Sequence, residues 1–139
     1  MKVNEVMSKD PACCTPESGL QEVARLMLDN DCGEIPVVDS KRTMRPVGVL
    51  TDRDIVVRCV AEGKNPLEAE AGDIMSSPAV TVMPDTSLDN CIDLMEEHQL
   101  RRLPVIDEAG AVCGIVAQAD IARHAPHRQT AEVLKEVSR

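Results

Sequence analysis

The pattern of apolar and polar positions along the chain repeats itself. Leu20, Val23, Ala24 and Met27 are spaced as one face of a helix, and Leu88, Cys91, Ile92 and Met95 repeat that face. Ser18 and Gln21 have capping-box spacing ahead of the first helix, and Thr86 and Asp89 mark the start of the second. A short extended run precedes each helix, at residues 12–15 and 80–83. Two alternating runs follow each helix as a hairpin. In the second half these are residues 103–106 and 112–116, joined through Asp107-Glu108-Ala109-Gly110. A further helix is expected from about Asp54 and from about Asp120, with Gly63 ending the first and Pro126 the second. The predicted order is β-α-β-β-α, twice.

The repeat holds residue by residue. At an offset of 68, Val6-Met7-Ser8 falls on Ile74-Met75-Ser76, Pro16 on Pro84 and Leu26-Met27 on Leu94-Met95. After the first hairpin turn the offset becomes 66, because residues 40–45 carry two extra positions in a polar stretch that accepts them at small cost. The expected organisation is a first repeat at residues 1–64, an acidic linker at 65–72, a second repeat at 73–127 and a tail at 128–139. Val133, Leu134 and Val137 would share one side of a short helix in that tail. One repeat of about 60 residues buries too little to fold alone. The expected fold is therefore α/β (α+β), with two β-α-β-β-α repeats covering each other's sheets as a pseudo-two-fold pair.

Composition narrows the chemistry. Apolar residues make up 43% of the 139 positions, which argues against disorder. Trp, Tyr and Phe are absent, so a ring-shaped ligand must lie against aliphatic side chains and backbone. The net charge of −9 argues against nucleic acid and anionic membrane as partners, but leaves room for a small anion on a local Arg cluster. No apolar run approaches the ~20 residues of a membrane span, and the start Met1-Lys2-Val3-Asn4-Glu5 lacks a signal peptide's apolar core. A cytoplasmic location is expected.

The six cysteines form no C-x-x-C and no zinc spacing with a His. Pro126 interrupts His124-Ala125-Pro126-His127, and two ligands do not make a zinc site, so no metal is expected. Cys32, Cys91 and Cys113 fall among apolar positions and act as small hydrophobes. A thiol redox switch using Cys13, Cys14 or Cys32 is an alternative function. No nucleophile with a base and no Walker-type loop is present, so no catalytic residue is assigned and the chain is not expected to be an enzyme.

Two motifs recur in order. Ile35-Pro36-Val37-Val38-Asp39 matches Leu103-Pro104-Val105-Ile106-Asp107, and Gly48-Val49-Leu50-Thr51-Asp52-Arg53-Asp54-Ile55 is echoed by Gly114-Ile115-Val116 and Asp120-Ile121. With Met7-Ser8 and Met75-Ser76 heading the repeats, residues 3–124 resemble a tandem pair of CBS domains, also called a Bateman module. The resemblance implies a cleft between the repeats that binds an adenine nucleotide (AMP, ADP or ATP), NAD or S-adenosylmethionine. It implies a regulatory rather than catalytic role. With no room for an enzymatic domain, the chain would be a stand-alone sensor that signals to a separate regulated protein. It also implies a homodimer, built on helix faces such as residues 20–27 and 88–95, or on the second helices. A ligand-independent dimeric adaptor is the other alternative.

The resemblance distributes roles. Asp54 and Asp120 would accept hydrogen bonds from ribose hydroxyls, as an ionised carboxylate can from two donors at once. Thr51 would contact ribose or phosphate; Ala117 replaces it in the second repeat. Thr51 and Asp54 are also spaced as a capping box. Asp120 favours the ligand role, because it stays acidic although Ala117 cannot cap. For phosphate, Arg53 lies inside the motif, and Arg101 and Arg102 precede the Leu103-Pro104 strand, where Gly33 and Glu34 stand in the first repeat. The adenine would lie near Ile35-Pro36 or Leu103-Pro104. Two unequal sites are expected.

Overall fold

The computed structural model describes residues 1–124; the expectations for Pro126, His127 and the tail lie outside the described residues. The chain forms two compact units. The first unit is Pro11–Ala79. The second joins Met1–Asp10 to the described residues from Val80 to His124. The first ten residues thus fold with the second half of the sequence, and the head of the second repeat, Met75-Ser76, stays with the first half.

In the first unit, helix α1 (Leu20–Asn30) leads into strands β2 (Glu34–Val38) and β3 (Pro46–Thr51), with β1 (Ser8–Lys9) belonging to the other unit. β2 and β3 pair antiparallel, Ile35 opposite Leu50 and Val37 opposite Gly48. Cys14 adds a parallel bridge to Val37, and Ser76 an antiparallel bridge to Val49, so both outer edges of the hairpin are met by chain from elsewhere. After β3 comes one turn of helix, α2 (Asp52–Asp54), running directly into a π-helix, Ile55–Val60. Gly63 then takes a left-handed conformation at φ 76°, as the end of the element requires. Helix α3 (Ala71–Ile74) closes the unit. Its core is Cys14, Leu20, Val23, Met27, Ile35, Val37, Leu50, Cys59, Ala71 and Ile74.

The second unit repeats this plan. Helix α4 (Leu88–His98) precedes strands β4 (Arg102–Ile106) and β5 (Val112–Ala117) and helix α5 (Gln118–His124). The sheet order is β1-β5-β4, with Ser8 opposite Ile115, and Val82 bridges Val105 on the far side. Val3, Val6, Leu88, Cys91, Ile92, Met95, Leu103, Val105, Val116 and Ile121 belong to its core. Both cores are aliphatic and sulfur-bearing throughout, as a chain without aromatic residues requires.

Each head passes close to a glycine of the strand it joins. A Cβ on Gly48 would stand 2.7 Å from the Ser76 carbonyl oxygen and 2.8 Å from the Met75 sulfur. A Cβ on Gly114 would stand 2.9 Å from the Ser8 carbonyl and 2.8 Å from the Met7 sulfur.

Several local expectations are corrected. Helix α1 is capped at Gly19 without a side chain, and the Ser18 hydroxyl instead accepts from the Thr15 amide at 3.0 Å. Helix α4 is capped by Ser87, whose hydroxyl accepts from Asn90, while Thr86 accepts from Met83 in the preceding turn. Ala24 is exposed; the α1 stripe is Leu20, Val23 and Met27. That stripe, like Leu88, Cys91, Ile92 and Met95 of α4, is consumed inside its own unit, which corrects its assignment as a dimer face. The exposed large apolar residues include Leu28, Leu67 and Val56, Val57 and Val60 of the π-helix.

Candidate functional site

The site residues are positioned where each hairpin's second strand turns into a helix. Thr51 ends β3 in an extended conformation and is the N-cap of α2. Its hydroxyl accepts from the Asp54 amide at 3.0 Å, and the Asp54 carboxylate accepts from the Thr51 amide at 3.0 Å. The carboxylate gathers two further groups. The Ser76 hydroxyl stands 3.4 Å from each of its oxygens, and Arg58 Nε lies 3.7 Å from Oδ1. Asp54 is therefore a capping residue whose side chain is 14% exposed and already engaged. Arg53 is exposed and extends from the same turn.

The second unit keeps half of this arrangement. Asp120 is 7% exposed; its Oδ2 accepts from the Ala117 amide at 2.9 Å, and its Oδ1 from Arg123 Nη2 at 2.7 Å. The reciprocal hydroxyl contact is missing because Ala117 has none. This weakens the argument that Asp120 stays acidic in favour of a ligand. A backbone amide and a guanidinium give it a structural task without a ligand.

Arg101 and Arg102 converge with the turn from β5 into α5. Together with Ala117, Gln118, Ala119 and Ala122 they line a pocket of about 360 Å³. The Arg101 carbonyl accepts from the Gln118 amide at 2.8 Å, which fixes the strand end against the helix start. The first unit makes the same closure from the Gly33 carbonyl to the Asp52 amide at 2.9 Å, but with opposite electrostatics. A Cβ on Gly33 would stand 2.9 Å from the Asp52 carboxylate, so an acid occupies the place that faces arginine in the second unit. The two positions are chemically unlike, one cationic and one anionic.

Larger depressions lie elsewhere. One of about 710 Å³ runs along α1 between Gln21, Glu22, Ala24, Arg25 and Leu28. Its walls all come from one helix face, so no polar groups converge on it from different elements. Another, of about 440 Å³, is lined by Lys64, Asn65, Glu68, Ala69 and Asp73 and carries two acids against one cation, which disfavours a phosphate.

Ile35, Pro36, Leu103 and Pro104 are buried as core strand. The Pro36 carbonyl accepts from the Cys14 amide at 3.0 Å and the Pro104 carbonyl from the Val82 amide at 3.1 Å. The described units thus bring Thr51 and Asp54 together, and Arg101 and Arg102 together, and keep the Pro-Val strands in the interior. Sequence reasoning missed Arg58, Ser76, Arg123 and Gln118. The two arginines carry a legible signal, since each follows its aspartate by one helical turn.

The cysteines are all free, and burial holds several as thiols. It pushes Cys14 up to about 12, with Lys41 partly opposing, and Cys91 up to about 11. Burial also raises Cys13, again against Lys41, whose ammonium donates to the Cys13 carbonyl. A buried, protonated thiol is a poor nucleophile, which weighs against the redox alternative at Cys13 and Cys14. Among the described residues no helix is long and apolar enough to cross a membrane.

Comparison with known proteins sets these features in a family. The CBS domain profile matches residues 3–60 and again residues 71–127. Protein MK0525 of Methanopyrus kandleri, itself uncharacterised, is 36% identical over 127 residues, which span 91% of this chain and 64% of that one. Hypoxic response protein 1 of Mycobacterium tuberculosis is 35% identical over 133 residues, 96% of this chain and 91% of that one. A crystal structure of Hypoxic Response Protein I with two coordinated zinc ions superposes with a TM-score of 0.82 at 36% identity, covering 91% of this chain and 100% of that one. No three His, Cys, Asp or Glu side chains converge as a metal site among the described residues here. The CBS domain pair of protein MJ0100, in complex with 5′-methylthioadenosine and S-adenosylmethionine, superposes with a TM-score of 0.78 at 25% identity over 88% of this chain and 94% of that one. With two matched copies of the domain and the paired folds to go with them, the chain belongs to the CBS domain family.

Proposed function

We propose that this CBS pair is a regulatory module that binds an adenine nucleotide or a related adenosine compound and signals its presence to a separate protein. The observation that carries the reading is the pocket of about 360 Å³ where Arg101 and Arg102 meet the Ala117–Gln118 turn. Its volume lies in the range of small-ligand sites. Two guanidiniums offer the bidentate geometry that phosphate prefers. Their net cationic character stands out on a chain of charge −9. The adenosine ligands carried by the MJ0100 pair add support for the base and ribose part of the ligand.

On this reading Arg101 and Arg102 take phosphate, Asp120 and Asp54 take ribose hydroxyls, and Thr51 and Arg53 assist Asp54. A base would lie near Ile35 and Pro36 in the first unit or near Leu103 and Pro104 in the second. AMP, ADP, ATP and NAD fit the cations, whereas S-adenosylmethionine, itself positively charged, is disfavoured beside Arg101 and Arg102. The module is not catalytic, works in the cytoplasm and acts as a homodimer through the exposed valines of the π-helix.

A thermal-shift series with AMP, ADP, ATP, NAD and S-adenosylmethionine tests the reading, since a ligand that binds only the native state raises its melting temperature. A rise with a phosphorylated ligand, lost in an Arg101→Ala, Arg102→Ala double variant, is expected. No rise with any of the five at millimolar concentration overturns it and favours the ligand-independent adaptor.

A further inference from the structure

The Asp54 carboxylate stands where the proposed ligand chemistry of the first unit meets the path of its own chain. Met75 and Ser76 are the last paired residues before the chain leaves that unit at Ala79. We propose that Arg58 and Ser76 are positioning residues that tie Asp54 to this departing segment, so that a ligand drawing on Asp54 loosens the segment; the coupling rests on the reading that Asp54 receives a ligand hydroxyl.

Three contacts build the tie. Ser76 places its hydroxyl 3.4 Å from both Asp54 oxygens. Arg58 bridges two partners, with Nε 3.7 Å from Asp54 Oδ1 and Nη1 donating to the Met75 carbonyl at 3.1 Å. The Ser76 backbone pairs in both directions with Val49, each bond 2.9 Å long. The segment is pressed so near β3 that only glycine fits at Gly48. One carboxylate is thereby linked through a hydroxyl and a guanidinium to two consecutive residues of the exit segment.

The hierarchy of these contacts decides which one yields. The Thr51–Asp54 cap bonds have ordinary length, 3.0 Å each. The Ser76 contact at 3.4 Å is long for a hydroxyl donor. The Arg58 side chain is 52% exposed, and a half-exposed ion pair is weakened by solvent and salt. A ribose hydroxyl at normal length would displace Ser76 and draw off Arg58 while the cap persists. The Arg58 bond to the Met75 carbonyl would be drawn off with it.

Among the described residues, the second unit shows no such tie. The Asp120 oxygens are engaged by Ala117 and Arg123, both from the strand end and helix that Asp120 itself belongs to. Ser8, the counterpart of Ser76, pairs through its backbone with Ile115 on β5. Among the described residues, only the first unit connects its carboxylate to its head by a side-chain network, so only its ligand would be sensed by the exit segment.

Hydrogen exchange on the full chain tests the proposal at the Ser76 and Val49 amides. In the ligand-free protein, Arg58→Met with Ser76→Ala should speed exchange at both amides about tenfold and leave the Asp54 amide, capped by Thr51, unchanged. Saturating AMP should speed Ser76 exchange in the wild type and add little in the double variant. The double variant should also bind AMP several-fold more tightly, because the ligand no longer competes with the tie. Ser76→Thr, which keeps the hydroxyl, should behave as wild type. A role in folding alone would leave Ser76 exchange indifferent to AMP. AMP binding with unchanged Ser76 exchange overturns the coupling and spares the reading of function. Absence of AMP binding to the wild type in calorimetry overturns both.

Discussion

Thr51 and Asp54 are closed on each other, hydroxyl to amide and carboxylate to amide, at 3.0 Å in both directions. Any substitution at Asp54 therefore disturbs a helix cap together with the proposed ligand contact. Asp54→Ala is expected to weaken adenine-nucleotide binding tenfold or more, since a hydrogen bond to a charged group is worth about 1.5–3 kcal/mol. It should also cost about 1 kcal/mol of stability through the cap. Asp54→Asn retains an oxygen for the Thr51 amide and should recover the stability but not the affinity. Calorimetry beside urea melts separates the two effects, and an unchanged affinity in both variants would refute the ligand role.

On the proposed reading, the arginine pair makes the two units unequal in their response to salt. Phosphate held by Arg101 and Arg102 should bind more weakly as salt rises, because exposed charge pairs are screened. The Arg101→Ala, Arg102→Ala variant should lose both affinity and most of the salt dependence, with ATP affected more than AMP. Titrations at low and high salt give the comparison. Equal salt slopes in wild type and variant would remove these residues from phosphate binding.

Gly48 and Gly114 are fixed by the heads that cross them. A methyl at either position would meet a backbone carbonyl at under 3 Å, and backbone cannot rotate away as a side chain can. Gly48→Ala and Gly114→Ala should each destabilise the protein by about 1–3 kcal/mol, the usual cost of overpacking. Gly63→Ala faces open space but sits at φ 76°, so its penalty should come from backbone strain alone. Urea midpoints measure all three; a neutral Gly48→Ala would mean that the head is not held in this register.

Burial of thiols predicts an alkaline limit to stability. The Cys14 thiol is raised from 9.0 to about 12 by burial, so the folded protein keeps a proton that the unfolded chain releases above about pH 9. The stabilising contribution is complete below pH 9 and is lost as pH rises from 9.0 toward 12. Cys14→Ala should flatten this part of the stability curve, read as urea midpoints across the alkaline range. Native Cys14 and Cys91 should also resist alkylation near neutral pH and react once unfolded. Rapid modification of native Cys14 would revive the redox reading.

On the proposed reading, self-association runs through the exposed valines of the π-helix. Val56, Val57 and Val60 are 58%, 43% and 55% exposed, whereas the inner stripes of α1 and α4 are sealed. Val56→Asp with Val60→Asp should convert a dimer to a monomer in light scattering without lowering the melting temperature of the monomer. A monomer mass for the wild type at high concentration would contradict the assignment.

The hairpins and the long helices were legible in the sequence because their periods differ and each occurs twice. Pro36 and Pro104 anchored the register, with Val49 and Ile115 opposite them as the repeat requires. The caps were less legible. Ser18 and Thr86 each precede the true cap by one position, and a neighbouring hydroxyl or glycine serves the backbone equally well. Thr51, Asp54, Arg101 and Arg102 could be singled out as candidates because their motifs are local. The Ser76 contact could not, since it joins residues 22 positions apart through a pairing that no periodicity encodes. The second role of Asp120 escaped notice for a related reason: its partner Ala117 contributes only backbone, which every residue carries.

The residence of Met7 and Ser8 on β5, and of Met75 and Ser76 on β3, bears on how such a protein could arise by gene duplication. The segment copied in the gene and the segment that folds together are offset by the length of a head. A half-length ancestor would have carried a head suited to a sheet edge in another copy, so two such polypeptides would have completed each other reciprocally. Fusion of two such genes would turn that exchange between molecules into an exchange within one. Each half would then be free to differ, as Gly33 and Asp52 differ from Arg101 and Gln118, while each still completes its sheet with a loan of residues from the other half of the sequence.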